Sequence, residues 1–128
     1  MPIRFARGIT LIELMVVVAI VAIIAAIAYP SFQKGLQHSR RADAFKGLLT
    51  MQLKQEEYRI TSGAYSTNKA DLGNPSSSYY DFSVVAASTS ATTYKLQAEA
   101  IGAQLGDTGC TLLTITKADV KSPSDCWN

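Results

Sequence analysis

Residues Leu14–Tyr29 read LMVVVAIVAIIAAIAY, an apolar run without a charge, and extending it back to Ile9 adds only Thr10 and Glu13 as polar positions. From Ile9 to Ala28, at 1.5 Å per residue, an α-helix spans about 30 Å, the thickness of a bilayer's hydrocarbon core. Valine and isoleucine also favour strands, but a lone strand cannot cross lipid with its backbone unpaired, so the spanning form is helical. Arg4 and Arg7 precede the run. By the positive-inside bias that end stays in the cytoplasm and the C-terminal part is exported.

After Tyr29 the pattern changes. Leu36, Ala42, Phe45, Leu48, Leu49, Leu53 and Ile60 recur at spacings near three or four, with Lys34, Gln37, Arg40, Arg41, Lys46, Lys54, Glu56 and Arg59 between them. That spacing predicts an amphipathic helix. Pro30 lies at the junction, and because helical periodicity resumes at once, a kink is expected there rather than a stop. The whole helix is expected from Ile9 to Ile60, about 78 Å if unbroken. Gly63 is the expected left-handed cap.

Residues 64–78 form a polar connection that Tyr65 and Leu72 tack onto the domain. Tyr80, Phe82, Val84 and Ala86 then alternate with Asp81, Ser83 and Val85, which predicts a half-buried strand. A turn over Ser88–Thr92 leads to the clearest alternation in the chain, Tyr94, Leu96, Ala98 and Ala100 against Lys95, Gln97 and Glu99. A third strand is expected over Thr111–Thr116 and a fourth at Val120-Lys121, joined by a turn at Lys117-Ala118-Asp119. One long helix followed by four short strands predicts an α+β fold, an antiparallel sheet covered on one face by the helix's second half.

Composition narrows the function. Of 128 residues, 48% are hydrophobic and 17% charged, and the apolar excess sits near the N-terminus. Twelve Lys+Arg against ten Asp+Glu force no strongly basic face, although a local patch is not excluded. One histidine and two cysteines are too few for a four-ligand Cys/His zinc site. Asp71, Asp81, Asp107, Asp119 and Asp125 are scattered rather than gathered in a calcium loop. No glycine-rich phosphate loop is present, and no nucleophile motif accompanies His38. We therefore expect no metal, no cofactor, no catalytic residue and no enzymatic activity. Arg40-Arg41 reads as a solvated face or a subunit-interface charge. Trp127 either packs against the sheet and the neighbouring cysteine or stands out as an aromatic anchor, the former being preferred. Export places Cys110 and Cys126 in an oxidising compartment, so a disulfide is expected. The alternatives are free buried thiols and a redox pair, the latter lacking a C-x-x-C spacing.

Glu13 is the anomaly of the apolar run. A carboxylate in a membrane helix costs about 2.5–3.5 kcal/mol on insertion scales and needs a partner. No A-x-A cleavage site follows the run, which argues against an ordinary secretory signal. Gly8-Ile9-Thr10-Leu11-Ile12-Glu13, followed by the run ending Ala28-Tyr29-Pro30-Ser31, resembles the leader and first helix of type IV pilins. The resemblance implies cleavage after Gly8 and N-methylation of Ile9 by a membrane prepilin peptidase. It also implies that Glu13 docks subunits by neutralising a neighbour's N-terminal amine.

Gly109-Cys110-Thr111-Leu112 and Lys121–Trp127, with Tyr79–Phe82 and Gly106–Thr108, are similar to the disulfide-bounded region of PilE-like minor pilins. The implied organisation is a leader over residues 1–8, a transmembrane and filament-core helix over 9–29, an amphipathic continuation over 30–61, and a sheet domain over 62–128 closed by Cys110–Cys126. The implied function is that of a pilus subunit, a minor pilin in pilus assembly, twitching motility or adhesion. It would reside in the inner membrane before assembly and in an extracellular pilus afterwards, with other pilins and the assembly machinery as partners. The alternatives are a major pilin, a type II secretion pseudopilin, and a DNA-uptake pilin contacting nucleic acid through Lys95, Lys117, Lys121 or Arg40-Arg41. Loss of residues 1–8 removes Arg4 and Arg7 and no acid, leaving ten basic and ten acidic side chains. That neutrality makes nucleic acid the less favoured partner.

Overall fold

A computed structural model describes residues 8–128, so the expected leader, apart from Gly8, lies outside the described residues. Two compact units divide between Gly35 and Leu36. Helix α1, Leu11–Ser62, contains Pro30 within its length, so the proline is not a helix stop.

In the first unit the helix begins on a Thr-x-x-Glu sequence. Thr10 Oγ1 accepts from the Glu13 amide at 3.2 Å and the Thr10 carbonyl accepts from the Leu14 amide at 3.2 Å. A threonine N-cap of this kind satisfies one of the amides that have no intrahelical partner. The large apolar side chains from Ile9 to Tyr29 are 50–77% exposed. This segment is long and apolar enough to cross a membrane.

The second unit holds the core. Strands β1 (Tyr80–Val84), β2 (Lys95–Ala100), β3 (Leu112–Thr116) and β4 (Lys121–Ser122) form one antiparallel meander in the order β1-β2-β3-β4. Phe82 pairs with Ala98, Ala98 with Leu113, and Leu96 with Ile115. These inward residues are buried together with Ala44, Leu48 and Met51 of α1. The period-2 alternation of the strands thus meets one stripe of the helix, and each fully buried Leu-sized side chain stabilises the pair by about 1.5–3 kcal/mol. Gly47 marks the closest approach. A Cβ at that position would overlap the Phe82 ring, so the aromatic ring takes the space a side chain would fill.

Helix α1 ends two residues later than expected, and Gly63 is its left-handed cap, with φ 74° and its amide bonded to the Arg59 carbonyl at 2.9 Å. Tyr65 and Leu72 are both buried as expected. Two strand boundaries need correction. β1 stops at Val84, and Ala86–Ser88 forms a 3₁₀ turn with Ala86 exposed. Past Val85, whose amide reaches the Lys95 carbonyl, β2 offers no further partner. β4 is Lys121–Ser122 rather than Val120-Lys121. Val120 is used by the turn, its amide bonding Thr116 Oγ1 and its carbonyl accepting from the Thr116 amide, while Asp119 adopts φ 59°.

Candidate functional site

Gly8, Ile9 and Glu13 lie at the exposed start of α1. The N-cap of Thr10 on the Glu13 amide went unread in the sequence, although the capping spacing S/T-x-x-E carried it. Glu13's carboxylate makes no ion pair among the described residues.

Cys110 and Cys126 form a disulfide. It ties the segment after β4 to the start of β3, and Trp127 follows directly. The Trp127 ring stacks on Phe45 of α1 at 4.7 Å with an interplanar angle of 17°. The tryptophan therefore packs on the helix rather than on the sheet alone.

Arg40-Arg41 is not a solvated pair. Arg41 meets Asp107 in a two-pronged ion pair, Nε to Oδ2 at 2.7 Å and Nη2 to Oδ1 at 2.8 Å. The two side chains are 14% and 6% exposed. The hydrogen bond to Asp107 holds the guanidinium deeper in its protonated range, against the opposing effect of burial. Fully buried Gln104 joins them, its Nε2 donating to the Gln37 carbonyl at 2.9 Å, the Tyr80 hydroxyl at 3.0 Å and Asp107 Oδ2 at 3.1 Å. Burial pushes the Tyr80 phenol up, with the Gln104 hydrogen bond working the other way. This network fastens the 3₁₀ segment Gly102–Gly106 to the helix. Arg40 lies over the Tyr79 ring, 4.5 Å from its centroid.

The lysines lie elsewhere, Lys117 standing 5.7 Å from the Tyr65 ring centroid. Lys95 pairs in register with Thr116, Lys117 follows Thr116 and bonds the Tyr94 carbonyl through its amide at 3.1 Å, and Lys121 pairs with Ile115. The register thus places Lys95 at the same end of the sheet as the β3–β4 turn that carries Lys117 and Lys121, with Lys95 on the outer face and Lys121 on the face of Ile115. Lys121 stands 5.6 Å from the Trp127 ring centroid and 3.7 Å from Asp119 Oδ2. A groove of about 240 Å³ is lined by Phe45, Leu48, Leu49, Gln52, Ile115, Asp119, Lys121 and Trp127. His38 is exposed on the helix.

A capped apolar helix bearing an acid near its start, continued by an amphipathic helix on a four-stranded meander with a C-terminal disulfide, is the architecture of a type IV pilin. Residues 3–29 match the prokaryotic N-terminal methylation motif. Residues 30–114 match the family of type IV minor pilin ComP, DNA uptake sequence receptor, and the chain belongs to that family. The chain is also similar to a type IV pilin from Shewanella oneidensis solved at high resolution, at 25% identity and a TM-score of 0.56, covering 72% of this chain and 98% of that one. Among curated proteins none matches. The protein is accordingly a type IV pilus subunit of the minor class, a membrane-anchored pilin that assembles with other pilins. Family and fold are structural rather than enzymatic.

Proposed function

We propose that this minor pilin serves DNA uptake, holding DNA by its phosphates on Lys95, Lys117 and Lys121 at the end of the sheet. The observation that carries the reading is the placement of these three lysines at one end of the sheet, while Arg41 is committed to a buried ion pair with Asp107. Membership of a family described as a DNA uptake sequence receptor supports it. Overall neutrality is no obstacle, since phosphate attraction acts over about 8–10 Å at ordinary salt and a local patch suffices. The protein works by binding, without catalysis.

The test is fluorescence anisotropy of a labelled DNA duplex with the full chain in detergent micelles. Binding is expected to weaken steeply with salt. Lys95→Glu/Lys117→Glu is expected to lose most of the affinity and to flatten the log K against log salt slope by about 2, roughly 0.9 for each phosphate contact removed. Salt-independent binding, or none, rejects the reading.

Assembly follows from the other end of the chain. A prepilin peptidase cleaves after Gly8 and methylates Ile9, and the subunit leaves the inner membrane for an extracellular pilus. A Cβ on Gly8 would meet nothing within 4 Å, so packing among the described residues places no demand for glycine there and recognition by a processing enzyme supplies one. The exposed Glu13 carboxylate then pairs with a neighbour's new amine. Glu13→Ala is expected to insert into the membrane normally yet be depleted at least several-fold from sheared filaments. Immunoblots of both fractions check this, and equal incorporation removes the docking role.

A further inference from the structure

The ring of Tyr65 stands between the last turn of α1 and the turn that joins β3 to β4. The Arg59 guanidinium carbon lies 5.1 Å from its centroid and the Lys117 ammonium 5.7 Å from the same point, so the two charges are no further apart than those distances laid end to end. Tyr65 is itself held in place. It is 5% exposed, its amide donates to the Ser90 carbonyl at 3.3 Å, and its ring meets that of Tyr94 edge-on at 4.8 Å. We propose that Arg59 is a further DNA-contacting residue, sharing with Lys117 a phosphate-binding surface that the Tyr65 ring sets between helix and sheet. The inference rests on the DNA-binding reading above.

The state of each cation selects Arg59. Neither Arg59 nor Lys117 forms an ion pair among the described residues, whereas Arg41, Lys54, Lys69 and Lys121 each do. Of its five N–H donors Arg59 directs one group to the Tyr65 hydroxyl, Nη1 at 3.1 Å. The remaining donors suit two phosphate oxygens in the fork geometry of a guanidinium. A ring beside both groups takes the charge from neither and narrows their positions before DNA arrives, which leaves less to order on binding. Duplex DNA carries a negative charge about every 1.7 Å along its axis, so two cations this close both find phosphates. Glu56 stands in the same cluster. Its carboxylate accepts from the Tyr65 hydroxyl at 3.1 Å, which fixes it beside Arg59, where its charge opposes an approaching phosphate. Removing that charge should therefore raise affinity, an effect that misfolding does not mimic.

The full chain in detergent micelles is titrated with a labelled duplex of mixed sequence, and anisotropy is read across a salt series. Arg59→Gln keeps a good helix former at the position. It is expected to weaken binding roughly tenfold at low salt and to flatten the log K against log salt slope by about 0.9, the share of one phosphate contact. Glu56→Gln keeps an acceptor for Tyr65 and is expected to bind roughly 1.5- to 5-fold more tightly, the range for one exposed charge pair. Lys46→Gln removes an exposed cation from an earlier turn of the same helix and should leave the slope unchanged. As a cation in the last turn, Arg59 also complements the partial negative charge of the helix C-terminus. A role confined to that would lower the melting temperature of Arg59→Gln and leave its salt slope as it was, which overturns the assignment. Unchanged affinity of Glu56→Gln overturns it too, as does a Lys46→Gln variant that flattens the slope as much as Arg59→Gln. Failure of the unaltered chain to bind the duplex at low salt rejects the DNA-binding reading itself.

Discussion

Arg41→Met is expected to destabilise the unit from Leu36 to Asn128 by about 3–5 kcal/mol, the usual cost of removing one partner from a buried ion pair. The loss is large because of what remains. Asp107 is 5% exposed, and without the guanidinium its carboxylate keeps only the Gln104 amide as a donor among the contacts described. Asp107→Asn in the same background should recover part of the loss, because a neutral amide costs less to leave unpaired than a carboxylate. Urea unfolding followed by circular dichroism checks both statements. A deficit below about 1 kcal/mol would show that the pair is dispensable.

Replacing Cys110 and Cys126 together by serine is the second large effect. The bond closes a loop with a sequence separation of 16. A loop of that size corresponds to about 3 kcal/mol in the chain-entropy description, and native disulfides removed from small exported domains cost about 2–5 kcal/mol. For a domain of this size the expected fall in Tm is on the order of 15 °C. The consequence extends to Trp127, whose stack on Phe45 depends on the anchored tail. Near-ultraviolet circular dichroism should lose tryptophan signal at temperatures where far-ultraviolet signal from the helix and sheet persists. Simultaneous loss of both signals would indicate that the tail is integral to the core.

The elements that could be read from the sequence are those defined by local periodicity. The Tyr94–Ala100 alternation, the helical spacing after Leu36 and the cap at Gly63 each depend on residues within a turn or two of one another. The structure places them within a residue or two of expectation. What could not be read depends on distant partners. Arg41 and Asp107 are 66 positions apart, and nothing near Arg40-Arg41 distinguishes a solvated arginine from a clasped one. Phe82 over Gly47 is likewise invisible until helix and strand are docked. The strand boundaries slipped where a turn used a residue that alternation alone assigned to a strand, as at Val120. Of the candidate sites, the Gly8-to-Glu13 motif and the cysteine pair were legible. The lysines were named as separate candidates, and only the register places Lys95 at the same end of the sheet as Lys117 and Lys121.

The last strand has a bearing on crowding. β4 is two residues long, carries Lys121, and runs straight into Pro123, which has no amide hydrogen to offer. An open sheet edge is a template for another chain's strand, and shortness, a lysine and a proline are the means by which such edges are made unreceptive. At this edge the domain offers a neighbour side chains rather than a free backbone ladder, so the β4 side is unsuited to joining one subunit's sheet to the next.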